Sequence, residues 1–208
     1  MSTTTIILET LIGILAAYII GSVPFGYLTV RMTKGIDIRK YGSGSTGTTN
    51  VLRTAGPVAA ALTVAGDFLK GVVTVVAARL TGLPDTYVLI IGLAALAGHN
   101  WPIFLRFKGG RGVATGFGIS LGLTWQISGG LFVVWVLIIA LTRYVSLASI
   151  IVMALYPVMI IYFREPLPII IFGILGAGTI IVMHRKNVVR LWRGEETKLG
   201  QKVKVDKE

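Results

Sequence analysis

Residues 127–162 read I-S-G-G-L-F-V-V-W-V-L-I-I-A-L-T-R-Y-V-S-L-A-S-I-I-V-M-A-L-Y-P-V-M-I-I-Y, and Arg143 is the only charged residue among them. A membrane-crossing helix needs about 20 mostly apolar residues. The stretch therefore predicts two apolar helices, Ile127–Leu141 and Val145–Tyr162, joined by a turn that carries Arg143. Working outward, the same criterion places further spans at Thr4–Val30, Pro57–Leu80, Tyr87–Leu105, Val113–Leu123 and Leu167–Met183. Val113–Leu123 is Gly-rich and short for a full crossing. Composition agrees with this reading. The 208 residues are 54% hydrophobic and 14% charged, with a mean hydropathy of +0.79, whereas soluble domains carry about 25% charged residues. Soluble folds, disordered tails and disulfide scaffolds are excluded. In lipid a spanning backbone must satisfy its own polar groups, and long apolar runs do so as helices. The expectation is a single all-α integral membrane domain, residues 1–208, with about seven transmembrane helices.

The net charge is +11, and its distribution sets the orientation. Arg31, Lys34, Arg39, Lys40, Arg53, Arg106, Lys108, Arg111, Arg143 and eight Lys or Arg of the tail fall on one side, 17 of the 20 basic residues. The basic side is cytoplasmic by the positive-inside rule. This puts the N-terminus outside and the C-terminus inside, which an odd number of spans permits. Basic loops beside apolar spans point to anionic headgroups or anionic substrates rather than nucleic acid. The absence of Cys excludes a thiol nucleophile and zinc–thiolate sites. The first apolar stretch lacks a basic leader and a small-residue cleavage site, so it reads as a retained helix.

Three segments on the basic side carry polar chemistry. Tyr41–Arg53 reads Y-G-S-G-S-T-G-T-T-N-V-L-R. Glycines interleaved with hydroxyls let backbone N–H groups converge on an anion, and Ser43 and Arg53 add a donor and a fixed charge. A flexible Gly/Ser linker is the plainer alternative, and no Gly-Lys-Ser/Thr ends the loop as in a P-loop. Gly98–Gly116 reads G-H-N-W-P-I-F-L-R-F-K-G-G-R-G-V-A-T-G. There Lys108, Gly109, Gly110, Arg111 and Gly112 open onto a helix, a favourable setting for a phosphate. An ordinary positive-inside loop is the alternative. The tail begins H-R-K-N-V-V-R-L, and on one continuous helix His184, Asn187 and Leu191 share a face. A merely interfacial histidine is equally compatible with that pattern. Ser146 and Ser149 enter the membrane three residues apart, just after Arg143. Asp67 and Lys70, also three apart, read as a structural ion pair, and Trp101, Trp125 and Trp192 as an interfacial aromatic belt.

Six strings in this order, G-S-V-P-F-G from Gly21, G-S-G-S-T-G-T-T-N-V-L-R, D-F-L-K-G, G-H-N-W-P with F-K-G-G-R-G-V-A-T, R-Y-V-S-L-A-S and H-R-K-N-V-V-R-L, resemble the bacterial acyl-phosphate-dependent glycerol-3-phosphate acyltransferases, the PlsY family. The resemblance covers nearly the whole chain. It implies a multi-pass enzyme of the bacterial inner membrane with its active site facing the cytoplasm, in the first acylation step of phospholipid synthesis. The reaction it implies moves a fatty acyl group from acyl phosphate to the sn-1 hydroxyl of glycerol-3-phosphate, giving lysophosphatidic acid and phosphate. Carried over by position, Ser43, Arg53, Arg111, Ser149, His184 and Asn187 contact phosphate. His184, Asn187 and Ser149 are the catalytic candidates; Ser43, Arg53, Lys108, Gly109, Gly110, Arg111, Gly112 and Ser146 are the phosphate-binding ones. Membrane lipids surround the protein, a peripheral enzyme supplying acyl phosphate is a candidate partner, and no cofactor, metal or nucleic acid is implied. The family's first loop usually reads G-S-G-N-x-G-A-T-N, so Ser45 and Thr48 depart from it, and Arg111 stands where Lys is usual.

The chemistry of the residues agrees. The His-x4-Asp pattern of another acyltransferase class is absent, since Phe104 and Val189 stand five residues beyond the two histidines. An acyl phosphate is already activated, so positioning and charge neutralisation suffice. Direct attack without an acyl-enzyme is the simplest mechanism, with His184 or a substrate phosphate as base. A secondary transporter for an organic phosphate is the rival. Transporters favour internal repeats and midplane sites, and neither is evident here.

Overall fold

The computed structural model describes residues 2–201, so Lys202, Lys204 and Lys207 of the basic tail lie outside it. The fold is all-helical. Helices α1 (Thr3–Ser22) and α2 (Phe25–Lys34) are followed by a short 3-10 turn, Ile38–Lys40, and by α3 (Thr48–Ala55) and α4 (Pro57–Leu80). Then come α5 (Asp85–Asn100), a second 3-10 turn (Ile103–Leu105), α6 (Val113–Leu123) and α7 (Trp125–Thr142). The last three are α8 (Val145–Tyr162), α9 (Leu167–Met183) and α10 (Arg185–Trp192).

Two sequence expectations change. The first apolar stretch is not one uninterrupted helix: it breaks at Val23–Pro24, because proline lacks the N–H that would continue the ladder. The freed carbonyl is not left bare, since Lys70 Nζ of α4 donates to Val23 O at 3.0 Å. The tail does not continue α9 either. It bends by 56° at His184 before α10. Among the described residues, five segments are long and apolar enough to cross a membrane, or six if the bent α9–α10 pair counts as one. The remaining expected span, α6, has 11 residues and at about 1.5 Å per residue covers little more than half of a 30 Å hydrocarbon layer.

Small residues set the tightest contact. Helix α1 packs on α5 with Gly21 against the Ala95 carbonyl and Gly98 against the Tyr18 carbonyl, so closely that a Cβ on either would overlap backbone. Close approach through glycine is how helices associate where no water drives them together. Around this pair, α4 packs on α5 and α6, α9 on α5 and α8, and α7 on α8. The core lies between them, with Val75, Val88, Ala95, Ile119 and Ile180 buried. A smaller cluster of Val30, Ile38 and Val51 anchors α2, the first 3-10 turn and α3 at the end where the polar loops gather. The outer faces carry exposed Leu, Ile, Val and Phe, as a lipid-facing surface requires.

Candidate active site

One cavity of about 550 Å³ joins the polar loops to the space between α6, α7 and α8. At its polar end it is lined by Ser43, Arg53, Arg111, Gly112, Ser146, Ser149, His184 and Glu196. The polar strings of the sequence, more than a hundred residues apart, therefore meet at one place.

The first loop is held by a residue the sequence reading passed over. Buried Asn50 of α3 accepts a hydrogen bond from Ser43 N–H at 3.0 Å and donates to the carbonyls of Tyr41 and Ser45 at 3.1 and 2.9 Å. This makes the segment a built turn rather than a flexible linker. Ser45, a departure from the family pattern, accepts from Gly47 N–H at 3.2 Å and braces the same turn. Arg53, one helical turn beyond Asn50, reaches the cavity and donates through Nη2 to Thr197 O at 2.6 Å. Its buried Nε has no partner among the described residues.

The second loop contributes to the cavity through only some of its residues. Gly109 and Gly110 N–H groups donate to the Asn100 and His99 carbonyls at 3.2 and 3.1 Å. They are committed to folding the loop back on α5, and neither residue lines the cavity. Lys108 is exposed and also outside the lining. The loop's contribution comes instead from Arg111 and from Gly112, which caps α6 at φ +85°, a left-handed conformation suited to glycine. Gly112, Val113 and Ala114 bring the start of α6 to the cavity. Arg111 forms no hydrogen bond or ion pair among the described residues. Burial and the neighbouring Arg190 and Arg53 push it down to about 10 against the pull of Glu196, so it stays cationic at neutral pH.

The tail closes the site. His184 and Asn187 are 2% and 1% exposed, which removes the reading of His184 as merely interfacial. They come together at the bend rather than on one face of a continuous helix. His184 Nδ1 is 2.8 Å from Ile180 O; a carbonyl only accepts, so Nδ1 carries the proton and Nε2 is left as an acceptor. Burial pushes this histidine down to about 4, and the ring is neutral at pH 7. Glu196 was not singled out from the sequence, yet it is the hub of this end. It accepts from Ser146 Oγ at 2.9 Å, Asn187 Nδ2 at 2.8 Å and Arg190 Nε at 2.7 Å. These donors hold its carboxyl below the usual value in spite of burial. A G-E-E-T stretch in a polar tail carries no periodic signal, so the sequence did not mark it. Ser149 accepts from Trp135 Nε1 at 3.1 Å while donating to Val145 O. In the cavity wall the expected Asp67–Lys70 pair forms at 2.8 Å, and His99, which lines the cavity with Asp67, joins it at 3.4 Å.

Arg190 thus pairs with Glu196, and Arg53 and Arg111, within electrostatic reach of the same carboxylate, line the polar end of an apolar channel. That arrangement suits an amphipathic molecule with an anionic head. Among the described residues no cluster of His, Cys, Asp and Glu could hold a metal ion.

Comparison with known proteins agrees. A family model described as glycerol-3-phosphate acyltransferase matches residues 11–194. The chain belongs to the glycerol-3-phosphate acyltransferase family. It is 44% identical over 193 residues to the glycerol-3-phosphate acyltransferase of Rubrobacter xylanophilus, covering 93% of this chain and 96% of that one. It is 46% identical over 189 residues to that of Gloeobacter violaceus, covering 89% and 92%. Its structure is similar to the crystal structure of PlsY, an integral membrane glycerol 3-phosphate acyltransferase, in its glycerol 3-phosphate form, with a TM-score of 0.88, 35% identity and coverage of 92% and 96%. The lysophosphatidic acid form of that protein matches with a TM-score of 0.85. This acyltransferase is therefore a multi-pass membrane protein, and its matched region takes in every site residue described except Glu196 and Thr197.

Proposed function

We propose that this acyltransferase moves a fatty acyl group from acyl phosphate to the sn-1 hydroxyl of glycerol-3-phosphate, releasing lysophosphatidic acid and inorganic phosphate. The observation that carries this reading is the single cavity, cationic at one end and apolar along its length. Both substrates have phosphate heads and only one has a long tail. Arg53 and Arg111, with Ser146 and the start of α6, bind the heads, and guanidinium groups suit bidentate contact with phosphate oxygens. The tail lies between α6, α7 and α8.

The hydroxyl oxygen attacks the acyl carbonyl carbon directly. The new C–O ester bond forms as the bond from that carbon to the phosphate oxygen breaks, and phosphate leaves with the electron pair. The hydroxyl proton passes to a phosphate oxygen, whose second pKa near 6 matches neutral pH. For His184, read from the sequence as a phosphate contact or the base, the hydrogen bond from Nδ1 to the Ile180 carbonyl supports a different role. Nε2 accepts, so the ring holds the neighbouring sn-2 hydroxyl and orients the attacking one. Its low basicity makes it a poorer proton acceptor than phosphate.

The orientation follows from the same reading: seven crossings with α6 as a short one, the N-terminus outside, and the site facing the cytoplasm of a bacterial inner membrane. Single-Cys labelling in this Cys-free chain tests it, and external labelling of position 108 in intact cells would reverse it. The donor is tested with purified protein and radiolabelled glycerol-3-phosphate. Acyl phosphate alone should support turnover; turnover with acyl-CoA or acyl-carrier protein, or an acyl group trapped on a Ser or Thr, would overturn the proposal.

A further inference from the structure

The apolar end of the cavity has a floor. On α8 the lining residues follow one helix face, Val145, Ser149, Val152 and Tyr156, and go no deeper. On α7, which runs back alongside it, they extend from Ile139 through Trp135 to Ser128 and stop. On α6 they run from Val113 to Ser120. All three stripes therefore end together. At that level Thr124, the residue between α6 and α7, joins them: its Oγ1 lies 3.0 Å from Tyr156 Oη and 3.3 Å from Ser128 Oγ, and donates to Ser120 O at 3.1 Å. All four residues are buried. A satisfied knot of hydroxyls at the end of an apolar channel resists entry, because an alkyl chain pushed through it would leave buried polar groups unpaired. From Ser146 to Tyr156 is ten residues of helix, about 15 Å at 1.5 Å per residue. The side of the channel is open instead, since Phe132 and Val136 line it and are 45% and 44% exposed towards the lipid face.

We propose that Tyr156, tied to Thr124 and through it to Ser128, is the specificity-determining floor of the acyl channel and sets the longest acyl chain that binds fully inside. This rests on the reading above that the acyl chain occupies the cavity. Each methylene buried above the floor strengthens binding about fourfold, and methylenes beyond it add nothing or must bend out through the lateral opening.

The test measures two quantities across one homologous series of saturated chains: turnover of acyl phosphates, and binding of lysophosphatidic acids by thermal shift. Wild-type binding should strengthen with length and then level off. Ser128→Leu, which fills the end, should move the break to shorter chains. Tyr156→Leu should move it to longer chains by about four carbons, the length of one helical turn of about 5.4 Å. Tyr156→Phe keeps the ring but removes its bond to Thr124, and should move the break to longer chains by less than Tyr156→Leu does. If acyl phosphates give no turnover while lysophosphatidic acid binding still breaks where the variants place it, the donor reading fails and the floor stands. A break that stays put in Ser128→Leu overturns the floor, whether or not Tyr156→Leu folds.

Discussion

Two charge clusters touch the same cavity in this protein, one buried and one half-buried, and they are built to opposite ends. The inner one, Asp67, Lys70 and His99, sits within the helices, with Asp67 and His99 in the cavity wall. Lys70 meets Asp67 at 2.8 Å and spends another proton on the Val23 carbonyl, so charge balances charge and the broken first helix is tied to α4. The outer one gathers Arg53, Arg111 and Arg190 around Glu196 and stays net positive. A balanced pair in lipid holds structure together; an unbalanced one at a cavity mouth holds an anion. Perturbing each should therefore move a different measurement.

The largest effect belongs to the inner cluster. Asp67→Leu leaves the Lys70 ammonium buried without its counter-charge, and should cost about 3–5 kcal/mol of stability in a detergent unfolding assay. Asp67→Leu combined with Lys70→Met should recover most of that loss, because replacing both partners removes the desolvated charges together. A double variant as unstable as the single one would show that the pair does more than compensate charge.

The outer cluster should respond in activity. Arg111→Ala removes charge-assisted contacts worth about 1.5–3 kcal/mol, and kcat/KM should fall about 10- to 100-fold with folding unchanged. Glu196→Gln should act more weakly on the same quantity, since Ser146, Asn187 and Arg190 lose the carboxylate that aims them. If Arg111→Ala instead lowered the unfolding temperature and left kcat/KM at the wild-type value, the division between the clusters would collapse.

The two clusters also differ in how far the sequence revealed them. Apolar run lengths displayed the helices, and the three-residue spacing of Asp67 and Lys70 displayed their pairing, because both are local. What remained hidden depended on chain reversal. His99 joins Asp67 only after α5 folds back against α4, and Glu196 reaches Ser146 only because the tail bends at His184. Gly109 and Gly110 show the converse limit of local reading. Their composition suggested a phosphate cradle, but composition does not tell which acceptor a backbone N–H will meet, and theirs are the carbonyls of His99 and Asn100. The break at Pro24 was written in the sequence and outweighed by the apolar run around it.

The smallest effect, and the finest test of the outer cluster, is at His184. With Nδ1–H on the Ile180 carbonyl, Nε2 is the ring nitrogen left over, and it accepts. A glutamine carbonyl can also accept, so His184→Gln should keep turnover within about tenfold and raise the glycerol-3-phosphate KM, whereas His184→Leu should lose more. The pH dependence of rate does not separate orientation from base catalysis between pH 6 and 7, since the ring titrates at about 4 rather than at 6.5. Stability does carry a signature. The unfolded histidine binds its proton near 6.5 and the folded one near 4, so between those values the unfolded state holds more protons. The folded state is therefore progressively disfavoured as pH falls from about 6.5 to 4, and His184→Gln should flatten that part of the curve. Glu196, held below its ordinary 4.5, has the other pattern: its stabilisation is complete above 4.5 and is lost as pH falls through its lower folded value. Unfolding measured across the two windows separates the residues. A His184→Gln protein that binds glycerol-3-phosphate normally yet has no turnover would make His184 the base and return the phosphate to the role of leaving group alone.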